Sequence, residues 1–309
     1  MNYFTIAEEI FQLMTQNNPR VSVVIPTYNR AADLQRALNS VLAQTYNDWE
    51  ILVVDNNSTD DTDEIVSAFN DSRISIHKVN NNGVIAVSRN KGIGEAKGEF
   101  IAFLDSDDWW VPEKLEKSVN YLEKGNDLVY HDLWIVEMGK KTKHTKTVGV
   151  RDLTSPIFDD LILHGSAIPN SSVVVRTKLL RKINGLSEDI KLIAAEDYDC
   201  WLRISIITDR FTCVPGVLGF YWQGSSNNSN PERRSVNLIK LQELYIDPFI
   251  RKHKIEMPIW FLYEQLRSAY LLGDFNKAKI YIKLMKRRAL NWNLKIKLLF
   301  MQMTIKLGL

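Results

Sequence analysis

The run Phe100-Ile101-Ala102-Phe103-Leu104-Asp105-Ser106-Asp107-Asp108 carries an apolar, strand-forming segment straight into three carboxylates within four positions. Like charges held that close repel one another unless a cation lies between them. Hard oxygen ligands on a short turn suit Mg²⁺ or Mn²⁺ shared with substrate phosphates. Two readings follow: a metal–diphosphate site with Asp105 and Asp107 as ligands, or a solvated turn leading into an acidic helix start. A second acidic pair, Glu196-Asp197, heads an apolar segment about ninety residues on. It is either a partner of a helix dipole or a general base, tuned by the apolar setting of Ile193, Ala194, Ala195, Trp201 and Leu202. Trp109 and Trp110 adjoin the first motif, Trp201 adjoins the second, and Trp222 lies in a polar segment. Aromatic faces beside carboxylates suit sugar rings, although core packing is the reading for most of the eight tryptophans. His131 and His164 read as structural.

The elements that must position these groups show in the hydrophobic pattern. Val21–Ile25, Ile51–Val54, Ile74–Val79 and Phe100–Leu104 predict four buried strands. Between them, Leu34, Ala37, Leu38, Val41 and Leu42 follow helical spacing, and further helices are expected over 61–69 and 84–96. The alternation implies right-handed βαβ units and a mostly parallel sheet with helices on both faces, an α/β fold whose ligands bind beyond the carboxyl ends of the strands. Those ends are Pro26–Arg30, Asp55–Ser58, Asn80–Gly83 and Asp105–Asp108, each polar, acidic or glycine-bearing, and that agreement favours a site. Downstream, a helix follows Pro112 and stops at Gly125, strands are expected over 128–136 and 173–175, and a lysine-rich hairpin or loop over 139–147. From about residue 235 the pattern is helical, with a hairpin over 259–289 turning at Gly273-Asp274. Residues 1–18 read as a short amphipathic helix. Gly92-Ile93-Gly94-Glu95-Ala96-Lys97-Gly98 imitates a dinucleotide fingerprint, but its last glycine is one position late and it precedes a strand instead of following one. No dinucleotide site and no P-loop is expected.

With 309 residues, 45% hydrophobic and 25% charged, the chain has room for one large or two modest domains. Two cysteines, Cys200 and Cys213, point to a reducing compartment. Residues 1–20 lack the basic start of a leader, and no uncharged apolar run reaches spanning length, so a cytoplasmic protein is expected. The net charge of +2 is uneven: residues 275–309 hold nine Lys or Arg and no acid, which leaves −7 on the rest. Leu294, Leu298, Met301 and Ile305 share one side of a helical wheel, and Lys295, Gln302 and Lys306 form a narrow polar stripe. This predicts an interfacial helix on anionic lipid, or an amphipathic helix packed on the body. A nucleic-acid partner has only this tail in its favour and no recognised module.

Together, Val-Ser-Val-Val-Ile-Pro-Thr-Tyr-Asn-Arg (21–30), Ile-Leu-Val-Val-Asp-Asn-Asn-Ser-Thr-Asp (51–60), Asn82-Gly83 with Ser88-Arg89-Asn90, Phe-Leu-Asp-Ser-Asp-Asp-Trp (103–109) and Glu-Asp-Tyr-Asp-Cys-Trp-Leu-Arg (196–203) resemble the bacterial inverting glycosyltransferases of family 2, with the GT-A fold. The resemblance covers roughly residues 20–225. It implies that Pro26, Thr27, Tyr28 and Arg30 flank the nucleotide, that Asp55 and Asn56 face the base, and that Gly83, Arg89, Asp105 and Ser106 approach the nucleotide, its ribose or its diphosphate. Asp107, with Asp105, would hold Mn²⁺ or Mg²⁺, and Asp197 would be the catalytic base with Glu196 as its neighbour or substitute. Relatives often have a second Asp where this chain has Asn56. Many also carry Tyr-Arg-x-His after the base, where this chain reads Tyr221-Trp222-Gln223-Gly224 and so lacks that metal ligand. The implied activity is transfer of a hexose from a UDP-sugar to a hydroxyl of a lipid-linked saccharide acceptor in surface polysaccharide synthesis, at the inner face of the plasma membrane. The implied organisation is an N-terminal extension (1–19), a nucleotide-sugar half (20–110), an acceptor half (111–230) and a basic, membrane-associating helical region (231–309). The competing classes are a non-catalytic sugar or nucleotide binder and a metal-dependent nucleotidyltransferase. The latter's glycine-rich first loop is missing after Ile25.

Overall fold

The computed structural model describes residues 18–137, 146–224 and 230–307. The helix expected over 1–18 and most of the loop expected over 139–147 fall outside them. The strands are β1 (Val21–Thr27), β2 (Trp49–Asp55), β3 (Ile74–Lys78), β4 (Phe100–Phe103), β5 (Trp109–Trp110), β6 (Leu128–Glu137), β7 (Val174–Arg176) and β8 (Phe211–Gln223). They form one sheet in the order β3-β2-β1-β4-β7-β6-β8-β5. The helices of the first half are α1 (Ala31–Leu42), α2 (Thr62–Ala68) and α3 (Ile85–Glu95). As the sequence predicts, β1 pairs in parallel with β2 and β4, and β2 with β3, through helical crossovers. β1 runs through Pro26 to Thr27, two residues past its expected end at Ile25.

The second half departs from the βαβ rule. β7 is antiparallel to both β4 and β6, β8 is parallel to β6, and β5 is antiparallel to β8. This arrangement decides where the site lies. Because β7 runs against β4, the start of β7 sits where β4 ends. Because β6 and β8 run with β4, the end of β8 arrives at the same edge.

Alternation of side chains along the strands divides the core into two layers. Val21, Val23 and Ile25 pack on one face with α1 and α4 (Lys114–Glu123), through Leu34, Leu38, Leu115 and Val119. Val24 packs on the other face with α3, α5 (Ile157–His164), α6 (Thr177–Lys182) and α7 (Glu196–Ser205). Then come α8 (Pro231–Leu241), a π-helical turn over Gln242–Ile246, α9 (Asp247–His253), α10 (Ile259–Leu271), α11 (Phe275–Lys286) and α12 (Trp292–Leu307). α10 belongs to two cores. Its Phe261 enters the sheet layer, while Leu262 and Leu266 join Ala278, Ile282 and Met285 of α11 and Leu298 and Ile305 of α12. Asp274 caps α11, accepting from the Lys277 N–H at 3.1 Å, at the turn expected of the hairpin.

The tail helix is packed on the body. The stripe expected to face lipid is buried: Leu298 and Ile305 are 2% and 8% exposed, with Leu294 and Met301 beside them. The hairpin offers an apolar surface of its own, and α12 covers it. No helix among the described residues is long and apolar enough to cross a membrane.

Candidate active site

Three loops at the carboxyl edge each place an asparagine in the left-handed region: Asn29 (φ 49°) after β1, Asn57 (φ 55°) after β2 and Asn82 (φ 48°) after β3. Asparagine tolerates that conformation better than most residues, so the polar composition of these loops is also their turn chemistry. The Asn29 side chain accepts from the Thr59 N–H at 2.7 Å, and the Asn56 side chain accepts from the Asn81 N–H at 2.8 Å, tying the loops into one rim. Asp55 is fully buried. It accepts from the Ser58 N–H at 3.1 Å and from the Ser58 hydroxyl, and it pairs with Lys78 at 2.7 Å. Pro26 and Thr27 are buried, Tyr28 is 55% exposed, and Gly83 is exposed with φ 79°.

The acidic turn follows β4 directly, closed by the Asp108 N–H donating to the Asp105 carbonyl at 3.0 Å. The antiparallel start of β7 supplies its lining: Ser171 Oγ accepts from the Asp105 N–H at 3.1 Å, and Asn170 lies 3.4 Å from the Asp105 carboxylate. Ser106 is buried. Burial, and then the charge of Asp105, push Asp107 up to about 6, although Arg30 stands 3.3 Å away. Burial and both neighbouring carboxylates hold Asp108 well above the usual range. Asp108 accepts from the Trp222 N–H at 2.9 Å, so the end of β8 reaches the turn. Tyr221, beside it, is raised to about 12 by burial and then by the charges of Asp108 and Asp105.

Arg89 connects this turn to α7. It is 3% exposed, and its two terminal nitrogens pair with Asp105 at 2.7 Å and Glu196 at 2.6 Å. Burial opposes its charge, but the two carboxylates outweigh burial and shift its pKa upward. The guanidinium that the resemblance brings near the nucleotide or its diphosphate has both ends paired with these carboxylates. Glu196 is buried in that pair, and Asp197 is left at the first turn of α7, where it accepts from the Tyr198 N–H at 2.7 Å. Burial, then the charge of Glu196, raise Asp197 to about 7, against the pull of Arg89. Ala194, three residues before it, sits at φ 68°, a conformation that costs a non-glycine residue about 1–2 kcal/mol.

Asp197 lines a cavity of about 480 Å³ with Tyr198, Arg233, Asn237 and Trp260 among its walls. Sequence reasoning missed several of these positions, as it did Arg36 and Ser171. Arg36 donates to the Asp107 carbonyl at 2.8 Å and lies 4.3 Å from the Trp109 ring centroid. Trp109 stacks on Phe220, whereas Trp110 and Trp201 are core. His131 is buried, and burial drives its pKa down to about 3, as a structural histidine requires. The glycines of the false fingerprint serve packing: a Cβ on Gly92 would meet Val24 at 2.5 Å, and one on Gly98 the Ser22 backbone nitrogen at 2.6 Å.

Among the described residues no group of three or more His, Cys, Asp or Glu could hold a metal by itself. Two carboxylates on a short turn still fit Mg²⁺ or Mn²⁺, which keep waters and share substrate phosphates instead of filling an all-protein cage.

A sheet of this order, with an acidic turn at the carboxyl end of β4 and a carboxylate facing it from a later helix, defines the GT-A class of nucleotide-sugar proteins. The chain belongs to glycosyl transferase family 2, whose family model matches residues 22–182. An uncharacterized glycosyltransferase of Rickettsia felis is 32% identical over 76% of this chain, and the chain spans about two fifths (39%) of that relative's length. The Escherichia coli UDP-Glc:alpha-D-GlcNAc-diphosphoundecaprenol beta-1,3-glucosyltransferase WfgD is 34% identical over 62% of this chain and 75% of its own. In fold the chain is similar to S. aureus TarS 1-349 in complex with UDP-GlcNAc (TM-score 0.62, 21% identity, 85% of this chain and 79% of that one). It is also similar in fold to a mannosyltransferase from Pyrobaculum calidifontis in complex with GDP-Man and Mn²⁺ (TM-score 0.56, 16% identity, 98% and 88%). Asp197 lies beyond the matched segment, so its placement rests on the geometry.

Proposed function

We propose that this protein is an inverting, metal-dependent hexosyltransferase that moves a sugar from a UDP-sugar to a hydroxyl of a lipid-diphosphate-linked saccharide, in the assembly of a surface polysaccharide. One observation carries the reading. Arg89 ties the acidic turn to the head of α7, which leaves a single half-buried carboxylate, Asp197, beside an open cavity. The nucleotide would rest on the rim formed by Pro26, Thr27, Tyr28, Asp55, Asn56 and Gly83. Asp107 and Asp105 would hold the metal, which when bound supplies Lewis-acid neutralisation of the leaving diphosphate. Asp197, its pKa near 7, takes the proton from the acceptor hydroxyl as the oxygen forms its bond to the anomeric carbon and the bond to the nucleoside diphosphate breaks. A single displacement inverts the anomeric centre, and one available base with no second free carboxylate beside it supports that course. The UDP donor and lipid-diphosphate acceptor draw support from the similarity to WfgD and to the UDP-GlcNAc complex of TarS, and the metal from the Mn²⁺-containing Pyrobaculum complex.

Activity at the inner face of the membrane belongs to the same proposal, and the free Cys200 and Cys213 accord with a reducing compartment. The membrane-facing surface would be the outer face of α12. There Trp292, Ile296, Leu299, Phe300 and Met303 are each at least half exposed. The test is a donor screen: UDP release with each UDP-sugar and a short-chain diphosphate-linked acceptor, with Mn²⁺ and with EDTA, followed by NMR of the product linkage. Metal-dependent release with one donor and an inverted linkage is expected. Full activity in EDTA, or a retained anomeric configuration, overturns the metal or the single-displacement assignment respectively.

A further inference from the structure

We propose that the cavity beside Asp197 binds the acceptor through its diphosphate, and that Arg233 is the residue that grips it. The proposal rests on the reading of Asp197 as the base and names what the rest of that cavity is for. At about 480 Å³ the space is of the size that holds a small ligand. Its charge is arranged in two parts. Arg234 is committed to an ion pair with Glu264 across the cavity wall. Arg233 is exposed and has no ion-pair partner among the described residues. It stands in the first turn of α8, an eleven-residue helix capped by Asn230, whose side chain accepts from the Arg233 N–H at 3.0 Å. The positive end of the helix and an unpaired guanidinium therefore face the same space, and a phosphate group satisfies both. Asn237, about one turn further along α8, is 6% exposed. Its amide nitrogen donates to the Ile193 carbonyl at 2.8 Å, and its Oδ1 is buried with no partner. A buried acceptor left open at the wall of a cavity is costly unless a ligand donor reaches it, and a sugar hydroxyl or acetamido N–H is such a donor. The indole of Trp260, held by its Nε1–H to the Ile162 carbonyl at 2.8 Å, gives the cavity an aromatic wall for a sugar face.

The chemistry of these groups together matches one ligand class. Asp197 must meet a hydroxyl, Asn237 and Trp260 suit the body of a sugar, and Arg233 suits an anion attached to it. A neutral glycan would leave Arg233 and the helix end without a counterpart. A second nucleotide-sugar would bring a base for which the cavity offers no matching edge. A sugar 1-diphosphate fills all four roles. α10, which contributes Trp260 and Glu264 to the cavity, buries Leu262 and Leu266 in the hairpin core under α12, so the same helix joins the acceptor cavity to the basic, apolar surface where a lipid chain would lie.

The test uses the whole chain and three soluble probes that share one sugar and one undecyl chain: the 1-diphosphate, the 1-monophosphate and the neutral glycoside. The sugar is varied among GlcNAc, GalNAc and glucose. Binding is read by titration calorimetry and by quenching of tryptophan emission, with UDP plus Mn²⁺ titrated separately. The wild-type protein is expected to prefer the diphosphate over the neutral glycoside by about tenfold or more. Arg233→Ala should remove that preference while leaving UDP binding unchanged, and Arg233→Lys should keep part of it. Equal binding of all three probes by the wild type, no binding of any sugar diphosphate in the panel, or an Arg233→Ala variant that binds the diphosphate as the wild type does would each overturn the proposal. Loss of UDP binding in the wild-type protein would instead overturn the donor-site reading, so the two failures are distinguishable.

Discussion

At the scale of single residues the site is a contest between burial and charge, and the two acidic motifs resolve it differently. Glu196 is paired with Arg89 and is held in place by it. Asp197 has no such partner, and burial lifts it to about 7. The pair was legible in the sequence, but the division of labour was not, because it depends on a guanidinium 107 positions away. The sign of the linkage is definite. A carboxyl with a folded pKa above its unfolded value of 3.8 favours the native state while protonated. That stability is lost as pH rises from about 4 to about 7, and the penalty is constant above it. Asp197→Asn cannot ionise. It should melt at a higher temperature than the wild type at pH 8 but not at pH 4, keep UDP-sugar binding, and lose transfer by on the order of a hundredfold or more. Thermal melts at the two pH values and single-turnover assays check this, and an acid limb near pH 7 should appear in the wild-type rate profile. An active Asp197→Asn variant beside an inactive Glu196→Gln would exchange the two roles. Arg89 makes the complementary prediction. Arg89→Met strands two carboxylates in a buried setting and should cost about 3–5 kcal/mol by urea denaturation, and adding Glu196→Leu should recover part of it.

At the scale of elements, the first half was legible because each element declares itself locally. Val21–Ile25 and Ile51–Val54 are β-branched runs too short for buried helices, and Leu34 to Leu42 repeats at helical spacing. The antiparallel β7 was not legible in its direction. Val173-Val174-Val175 reads as a buried strand whichever way it runs, and only the pairing Ala102 with Val174 fixes it. That pairing brings Asn170 and Ser171 to the acidic turn, so their roles were hidden for the same reason. The glycines of α3 show the limit of motif reading from another side. Gly92 and Gly94 stand two residues apart on one helix and look alike in sequence. Gly92 faces β1, where a Cβ would meet Val24 at 2.5 Å, whereas a Cβ on Gly94 meets nothing within 4 Å. Gly94→Ala should therefore stabilise the protein by about 0.5–1 kcal/mol through helix propensity. Gly98→Ala, which drives a methyl to 2.6 Å from the Ser22 backbone, should destabilise it by about 1–3 kcal/mol. Chemical denaturation of the two variants separates them by sign, and equal effects would mean that the turn between α3 and β4 does not need its close approach to β1 at Ser22.

At the scale of the whole molecule, the distribution of charge and apolar surface gives the protein a side. The sequence located the basic tail and left its apolar stripe to lipid or to the body; the stripe packs on the body, and α12 is apolar on a second face. Leu294, Leu298, Met301 and Ile305 are spent on the hairpin core. Trp292, Ile296, Leu299, Phe300 and Met303 recur at i, i+4, i+7, i+8 and i+11 on the opposite side and are 74%, 50%, 58%, 65% and 54% exposed. Lys279, Lys283, Lys286 and Arg287 of the hairpin wall a groove of about 490 Å³ that Gln302 and Ile305 of α12 also line. An exposed apolar stripe beside unopposed positive charge is the pattern of a helix lying in a membrane interface. Each basic residue near an anionic leaflet contributes about 1 kcal/mol, and salt screens the attraction because the charges are exposed. Deleting α12 is a poor test, since it would uncover Leu262, Ile282 and Met285 and destabilise the hairpin. The informative variant replaces only outward residues, Trp292→Ser with Leu299→Ser and Phe300→Ser. The full chain is expected to float with anionic liposomes at low salt and to be released as salt rises. The triple variant should stay in the dense fraction, with its melting temperature within about 2 °C of the wild type, because side chains this exposed contribute little to the fold. Its activity should fall more on a long-chain lipid acceptor in vesicles than on a short soluble one. A wild-type protein that does not float, or a triple variant that floats as well as the wild type, would mean that the outer face of α12 does not hold the protein at the membrane.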